Sequence, residues 1–299
     1  MFLNIAYITK VNLASLNGAE GSGGNITPIK KVSSYDGEEY AYVSGQALRR
    51  YLKETLMQLG AKITEVNEKG EPTFKDENGE YINLDKEFEK VKEKAFKEYV
   101  DLDLFGYMFP NGTRRWSPVK VAPMLSLLPY KGEVDFLTRK QKSDGKKSGN
   151  IVQIEIDTLN FARGNILINL EHIGAIVDEY SYEKEDILTE EEKKQRVNLL
   201  LDAIKNFNGG AKLARNLEDI SAKLIVIAKQ KTGNPFLLNV LKVNENGALD
   251  IEALKEALNE ADFEEAKIGL TKGIFSNEDK IKEEFDVVSI KEAIEHFKA

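Results

Sequence analysis

The sequence predicts an α+β fold in the ferredoxin-like order strand, helix, strand, strand, helix, strand, interrupted by large insertions. Three segments carry this expectation. Phe2–Val11 (FLNIAYITKV) alternates and is rich in apolar and β-branched residues, the pattern of a strand. Ser44–Gly60 (SGQALRRYLKETLMQLG) places Ala47, Leu48, Tyr51, Leu52, Thr55, Leu56 and Leu59 at helical spacing, with Ser44 as cap and Gly60 as stop. Ser221–Lys229 (SAKLIVIAK) is an apolar run of the length of a buried strand.

The other elements fill the order. Asn17–Asn25 (NGAEGSGGN) reads as a flexible connector, because no Gly-Lys-Ser/Thr follows it and the GxGxxG spacing is absent. Short strands follow at Ile29–Ser33 and Glu39–Val43. Residues 62–101 are polar, punctuated by Gly and Pro, and helical from about Leu84 to Val100, which marks an insertion. Glu133–Leu137 and Ile151–Asp157 flank Thr138–Asn150, giving a hairpin with a long basic tip. Ile166–Leu170 is a further strand, and Glu171–Thr189 is a polar connector. Thr189 caps a helix over Glu190–Phe207, broken by Asn208-Gly209-Gly210. The last 55 residues read as mostly helical, at Ile251–Ala261, Asn277–Phe285 and Ile290–Lys298. The expected organisation is one domain, 1–299, with a finger-like region at 62–130, a thumb hairpin at 130–155 and an acidic helical segment at 245–299.

Composition narrows the function. The chain has no Cys, which excludes disulfides, thiolate metal sites and a thiol nucleophile, and its only two His weaken a His-rich metal site or a Ser–His–Asp triad. No apolar stretch approaches the roughly 18 residues that span a bilayer, and no signal peptide is visible, so a cytoplasmic protein without a membrane partner is expected. Nothing calls for a cofactor or a bound metal. Net charge is −8, unpromising for nucleic acid, but it is unevenly placed. Residues 245–299 hold 15 acidic and 7 basic residues, so the rest is neutral overall. Within that rest, residues 105–150 hold nine basic and three acidic residues. Such a region can grip a polyanion, or can be a solvated Lys-rich loop.

The ferredoxin-like order is the one RNA-recognition motifs use, and it leaves one face of the sheet available to a single strand. The usual aromatic signature of those motifs is absent. Asp101–Trp116 (DLDLFGYMFPNGTRRW) instead mixes Phe105, Tyr107, Met108, Phe109 and Trp116 with Arg114 and Arg115, either a core with a charged rim or a stacking surface with phosphate clamps.

Four segments resemble a known family: the NLASLNG turn (Asn12–Gly18), VSGQALRRYLKETL (Val43–Leu56), DLDLFGYM with RRWSPVKVAPMLSLLPYKGEVDFLTR (Asp101–Arg139), and NFNGGAKLARNLEDISAKLIVIA (Asn206–Ala228). They are similar to the backbone, RAMP-type, subunit of the type I CRISPR surveillance complex, Cascade, in its DevR/Cst-like branch. The resemblance implies a modified RNA-recognition-motif palm with a helical insertion and a β-hairpin thumb. It also implies a non-catalytic antiviral-defence subunit. Its partners would be CRISPR guide RNA, target DNA paired to the guide, other copies of itself in a helical filament, and other Cascade subunits. Sequence reading would then fall to base pairing.

The resemblance assigns RNA contacts to Asn12, to Ser44, Gln46, Arg49 and Arg50 at the start of the first helix, to Arg114, Arg115 and Trp116, to Lys140, Lys142, Lys146 and Lys147 in the hairpin, and to Lys212 and Arg215 after the Gly-Gly turn. Met108 and Phe136 would wedge open the kinked base step. Local chemistry agrees: a helix N-terminus and a Gly-Gly turn offer backbone N–H groups to phosphate, and Arg adds bidentate charge. The ordinary readings, with Ser44 a mere cap and Met108 and Phe136 core, remain open at this point. Two other functions do too. One is a type III-like subunit that cleaves target RNA with a metal, for which Glu20 and Asp36 are the candidates. The other is a protein-interaction domain whose acidic tail binds a basic partner.

Overall fold

The computed structural model describes residues 1–19, 26–68, 72–75, 78–82, 84–109, 112–132, 134–138, 151–155, 160–178, 181–214 and 216–298. Its centre is a nine-stranded sheet. Its strands are β1 (Phe2–Val11), β2 (Lys31–Ser33), β3 (Glu39–Val43), β4 (Val119–Val121), β5 (Met124–Ser126), β6 (Asn160–Asn169), β7 (Leu224–Gln230), β8 (Phe263–Leu270) and β9 (Val287–Val288). The order is β9-β8-β7-β1-β6-β5-β3-β2, with β4 also on β6. β1 runs antiparallel to both β6 and β7, with Ile5 opposite Ile166 on one side and Ile227 on the other.

Helix α1 (Gly45–Gln58) connects β3 to the insertion, and α4 (Glu190–Lys205) lies between β6 and β7. Taking β4 and β5 together as one strand, the order β7-β1-β6-β4/β5 is two interleaved βαβ units; β4 and β5 are strands that the sequence analysis does not expect. Both helices pack on one face. Leu48, Leu52 and Leu56 of α1 and Leu200, Leu201 and Ile204 of α4 join Leu3, Ile5 and Tyr7 of β1 in one core. Thr189 caps α4 as its sequence suggests, and Glu192 closes a capping box with it.

β1 is buried on both faces, because the other face is also covered. Ala6 and Ile8 of β1 and Leu224, Val226 and Ala228 of β7 meet Leu237, Leu241, Leu249, Leu254, Phe275 and Ile281 from the chain after β7. The expectation of an open face is thus overturned for the half formed by β1 and β7. The polar strand residues under this cover are paired: Asn165 Nδ2 donates to Asn4 Oδ1 (2.8 Å), and Asn4 Nδ2 donates to Gln230 Oε1 (3.2 Å). Gln230 in turn donates to the carbonyls of Thr232 and Asn234, both at 2.6 Å, drawing that loop onto the sheet.

The C-terminal segment has the predicted helices α5 (Ile251–Glu260), α6 (Glu278–Glu284) and α7 (Ile290–His296), but β8 and β9 are strands the sequence reading missed. β8 reads FEEAKIGL. Its charged residues occupy solvent-side positions of an outer strand, which masks the apolar alternation. Glu171–Thr189 is likewise more than a connector, for Ala175–Val177 and Lys184–Asp186 pair as a ribbon. β6 also begins earlier than Ile166, because Ala162 and Gly164 weaken its pattern.

The insertion has its own small core, where Phe74, Phe88, Phe96, Tyr99, Leu102 and Phe109 pack between α2 (Leu84–Glu98) and α3 (Val100–Phe105). The chain returns to the main sheet at β4 and β5, so the last part of residues 62–130 belongs to the sheet. The hairpin is present: Val134–Thr138 pairs antiparallel with Ile151–Glu155, and the latter pairs parallel with Ile26–Thr27. No helix among the described residues is long and apolar enough to cross a membrane.

Candidate nucleic-acid interface

The four segments singled out in the sequence meet at the start of α1. Ser44 caps the helix, its hydroxyl accepting from Ala47 N at 3.3 Å, and its own N–H donates to Asn17 Oδ1 at 2.7 Å. Gly45 is required there, since a Cβ would lie 2.4 Å from the Val121 carbonyl oxygen. The loop after β1 then reaches the Gly-Gly turn: Ala211 N donates to Ser15 O at 2.7 Å. Tyr51 of α1 donates its hydroxyl to the Leu16 carbonyl and lies against Gly209, whose Cβ would fall 2.2 Å from the Tyr51 ring. Glu218 completes the junction by accepting from Asn12 N at 2.8 Å and Leu13 N at 3.0 Å.

Asn12, Gln46, Arg50 and Lys212 are exposed on the segments that meet at this junction. Lys212 adopts φ 58°, a left-handed conformation in which non-glycine residues are uncommon. Arg50 pairs with Glu54 at 2.7 Å. Arg49 does not join them. Its guanidinium donates to the Phe105 carbonyl and stands 5.5 Å from the centre of the Phe105 ring, and burial lowers its pKa. It fastens α1 to α3 and is withdrawn from the candidate surface.

A second surface lies on the ribbon of Tyr107–Met108 with Arg114–Arg115, where Met108 stands opposite Arg114. Met108 is 72 % exposed and Trp116 67 % exposed, and the Arg114 guanidinium lies over the Trp116 ring at 5.9 Å. An apolar tip, a cation and an indole face are therefore presented together. Arg115 alternates to the opposite side and is buried, which removes it from the RNA-contact set. Its Nη2 donates to Asp103 Oδ1 at 2.6 Å and to His172 O at 2.6 Å, and its Nε donates to Asp103 O at 3.2 Å. Burial pulls its pKa down, and the Asp103 carboxylate opposes that. The Arg-Arg dipeptide was legible as a basic site, but strand alternation assigns its two members to different tasks.

Sequence reasoning missed Asn17, Glu218, Asp103 and Arg196 as the residues that hold these surfaces in place. Asp103 had a signal: a carboxylate inside the apolar run DLDLF needs a buried partner. Lys140, Lys142, Lys146, Lys147, Arg215 and Glu20 lie outside the described residues. Phe136 stands opposite Gln153 in the hairpin, and its side chain also lies outside them. Asp36 is exposed at a turn, where Oδ1 accepts from Glu38 N at 3.0 Å and Oδ2 from the Tyr40 hydroxyl at 2.9 Å. Those bonds hold its pKa below the usual carboxylate value.

A split-βαβ sheet carrying an insertion with its own core and a hairpin defines an elaborated α+β fold. The chain belongs to the family described as CRISPR-associated negative auto-regulator DevR/Csa2, whose family model matches residues 5–247. The resemblance read from the four segments is therefore borne out at the level of family. Two solved structures share the fold along the whole chain. A chain described as "CRISPR RNA-guided surveillance complex, pre-nicking" is 15 % identical, with 99 % of this chain and 100 % of that chain covered and a TM-score of 0.59. A chain described as "CRISPR RNA-guided surveillance complex" is 16 % identical, with 99 % and 98 % covered and a TM-score of 0.59. No curated protein matches the chain by sequence.

Proposed function

We propose that this protein is a subunit of a type I CRISPR surveillance complex, or Cascade, that grips the backbone of the guide RNA. Copies of it line up along the guide, and the guide's bases stay free to pair with target DNA. The observation that carries this reading is the meeting of the Asn12–Gly18 turn, the start of α1 and the Gly209–Gly210 turn, with Asn12, Gln46, Arg50 and Lys212 exposed on them, in a chain of a CRISPR-associated family. Asn12, Gln46, Arg50 and Lys212 supply donors and charge to phosphate from that surface, and Arg114 and Trp116 supply a cation and a stacking face. Met108 acts with Phe136 as the wedge at a kinked base step. The hairpin lysines and Arg215 extend the grip.

The subunit holds RNA without cutting it: Asp36 serves its own turn. Incubating assembled particles with RNA complementary to the guide tests this, since cleavage lost in Asp36→Ala would replace the holding role with a nuclease role. The first experiment on the main reading is to sequence the nucleic acid that co-purifies with the protein from its native host. Small RNAs with a constant repeat-derived end and varied spacers, in a particle several times the monomer mass, are expected. A particle assembled with its partner subunits yet free of such RNA would refute it.

A further inference from the structure

The chain after β7 covers only half of the sheet face away from α1 and α4. Over the other half it leaves a groove of about 420 Å³, within the usual range of ligand pockets. The strand registers set Leu125 of β5 between Tyr42 of β3 and Arg163 of β6, so one apolar, one aromatic and one cationic side chain form a row. Val32, 46 % exposed, and Pro123 extend the apolar floor, and Asn239 forms the wall.

The charged side chains of the lining, Lys31 and Arg163, are both cationic. Arg163 is held in place by the covering segment: Nη1 donates to Asn239 O at 3.0 Å and Leu241 O at 3.3 Å, and Nη2 donates to Asn239 Oδ1 at 3.2 Å. Accepting through Oδ1 leaves the Asn239 amide N–H groups as donors. Lys31 lies 4.9 Å from the centre of the Tyr130 ring and 3.5 Å from Glu39.

We propose that this groove seats one nucleobase of a single RNA strand. The base stacks on Tyr42 above the Leu125 floor, its edge meets the Asn239 amide, and its phosphate lies toward Arg163. An apolar side chain would use only the floor. A base with its phosphate uses the π-face, the donors and the cation together, which is how single strands are held by sheet faces. The inference takes from the proposed function only that the strand is RNA. The groove lies on the opposite sheet face from α1 and α4.

The test uses the full-length chain with a fluorescent octauridylate, and the same octamer carrying one 4-thiouridine for photo-crosslinking. Crosslinks within residues 31–43 and 119–126 are expected. Tyr42→Leu should weaken binding about 5- to 150-fold, the loss of one stacked base, while Tyr42→Phe binds like the wild type. Val32→Glu, at an exposed position, should weaken binding too, because its carboxylate faces the incoming phosphate. Thermal unfolding of each variant confirms that it is folded. Undiminished binding by Tyr42→Leu and Val32→Glu, with crosslinks confined to 44–50 and 208–214, overturns the groove and leaves the guide-gripping surface standing. A wild-type chain that neither binds nor crosslinks the octamer overturns the groove, while the guide-gripping role is decided by the RNA of the assembled particle.

Discussion

Replacing Asp103 by Ala should unfold this protein more readily than any surface substitution, for a reason visible in its contacts. Asp103 is fully buried and takes Arg115 Nη2 at 2.6 Å, Arg196 Nη1 at 3.1 Å and Gly174 N at 2.9 Å. The two arginines also bind carbonyls: Arg115 that of His172 at 2.6 Å, and Arg196 those of Phe96 at 2.8 Å and Lys97 at 3.1 Å. One carboxylate thus joins the insertion, the loop after β6 and α4. Removing it leaves two buried guanidinium charges without a counter-ion, and breaking a buried pair in this way costs about 3–5 kcal/mol. That is about a fifth or more of a typical stability of about 5–15 kcal/mol. At about 2.1 cal/mol/K per residue the unfolding entropy of the 299-residue chain is about 0.6 kcal/mol/K, so Tm should fall by about 5–8 °C. Urea unfolding followed by circular dichroism gives the free energy directly. The triple replacement Asp103→Leu, Arg115→Met, Arg196→Met should recover most of the loss, since no charge is left stranded. A loss below about 1 kcal/mol for Asp103→Ala, or a triple variant as unstable as the sum of its parts, would refute the clamp. The folded triple variant should also bind guide RNA normally, because Arg115 is buried and lies outside the proposed RNA surface.

Gly209→Ala drives a Cβ into the Tyr51 ring at 2.2 Å; overpacking of about 1–3 kcal/mol and a displaced turn are expected, read by urea unfolding and by weakened RNA binding. Lys212→Ala should weaken RNA binding uniformly across guide sequences and lower the slope of log affinity against log salt by about 0.7, one phosphate contact on a single strand; a loss that depends on guide sequence would contradict backbone gripping. Stability should decline in acid. The hydrogen bond from the N-terminal ammonium lowers the pKa of Glu171, and that from Lys282 lowers the pKa of Glu278, each from an ordinary 4.5. A depressed folded-state value stabilises fully above the ordinary value and is lost as pH falls through the folded one, and burial lowers the His172 pKa from 6.5 with the same sign, so Tm measured against pH should begin to fall below about 6.5 and drop further below 4.5; a Tm that rises between pH 5 and 3 would contradict this.

Much of the palm was fixed by local pattern. Alternation in β1, the helical stripe and Ser44 cap of α1, the Thr189 cap of α4 and the apolar run of β7 are short-range signals, and the structure follows them. So is the hairpin, whose two strands bracket a polar tip. The roles of single side chains were not local. Arg114 and Arg115 are adjacent in sequence and opposite in a strand, so one faces solvent beside Trp116 and the other is buried on Asp103. Arg49 and Arg50 part in the same way around a helix. Nothing near Arg115 in sequence names Arg196 or Gly174, because those neighbours arrive only when α4 and the loop after β6 pack together. The covering of one half of the far sheet face, and the groove left over the other, were equally out of reach: they depend on where residues 237–281 come to rest. Sequence determined the strongly periodic segments, β1, α1, α4 and β7, because propensity and periodicity act over a few residues, while β4, β5, β8 and β9 take their strand form from pairing across the sheet. Tertiary packing decided which charges are buried as clamps and which stay exposed, because burial depends on contacts far apart along the chain.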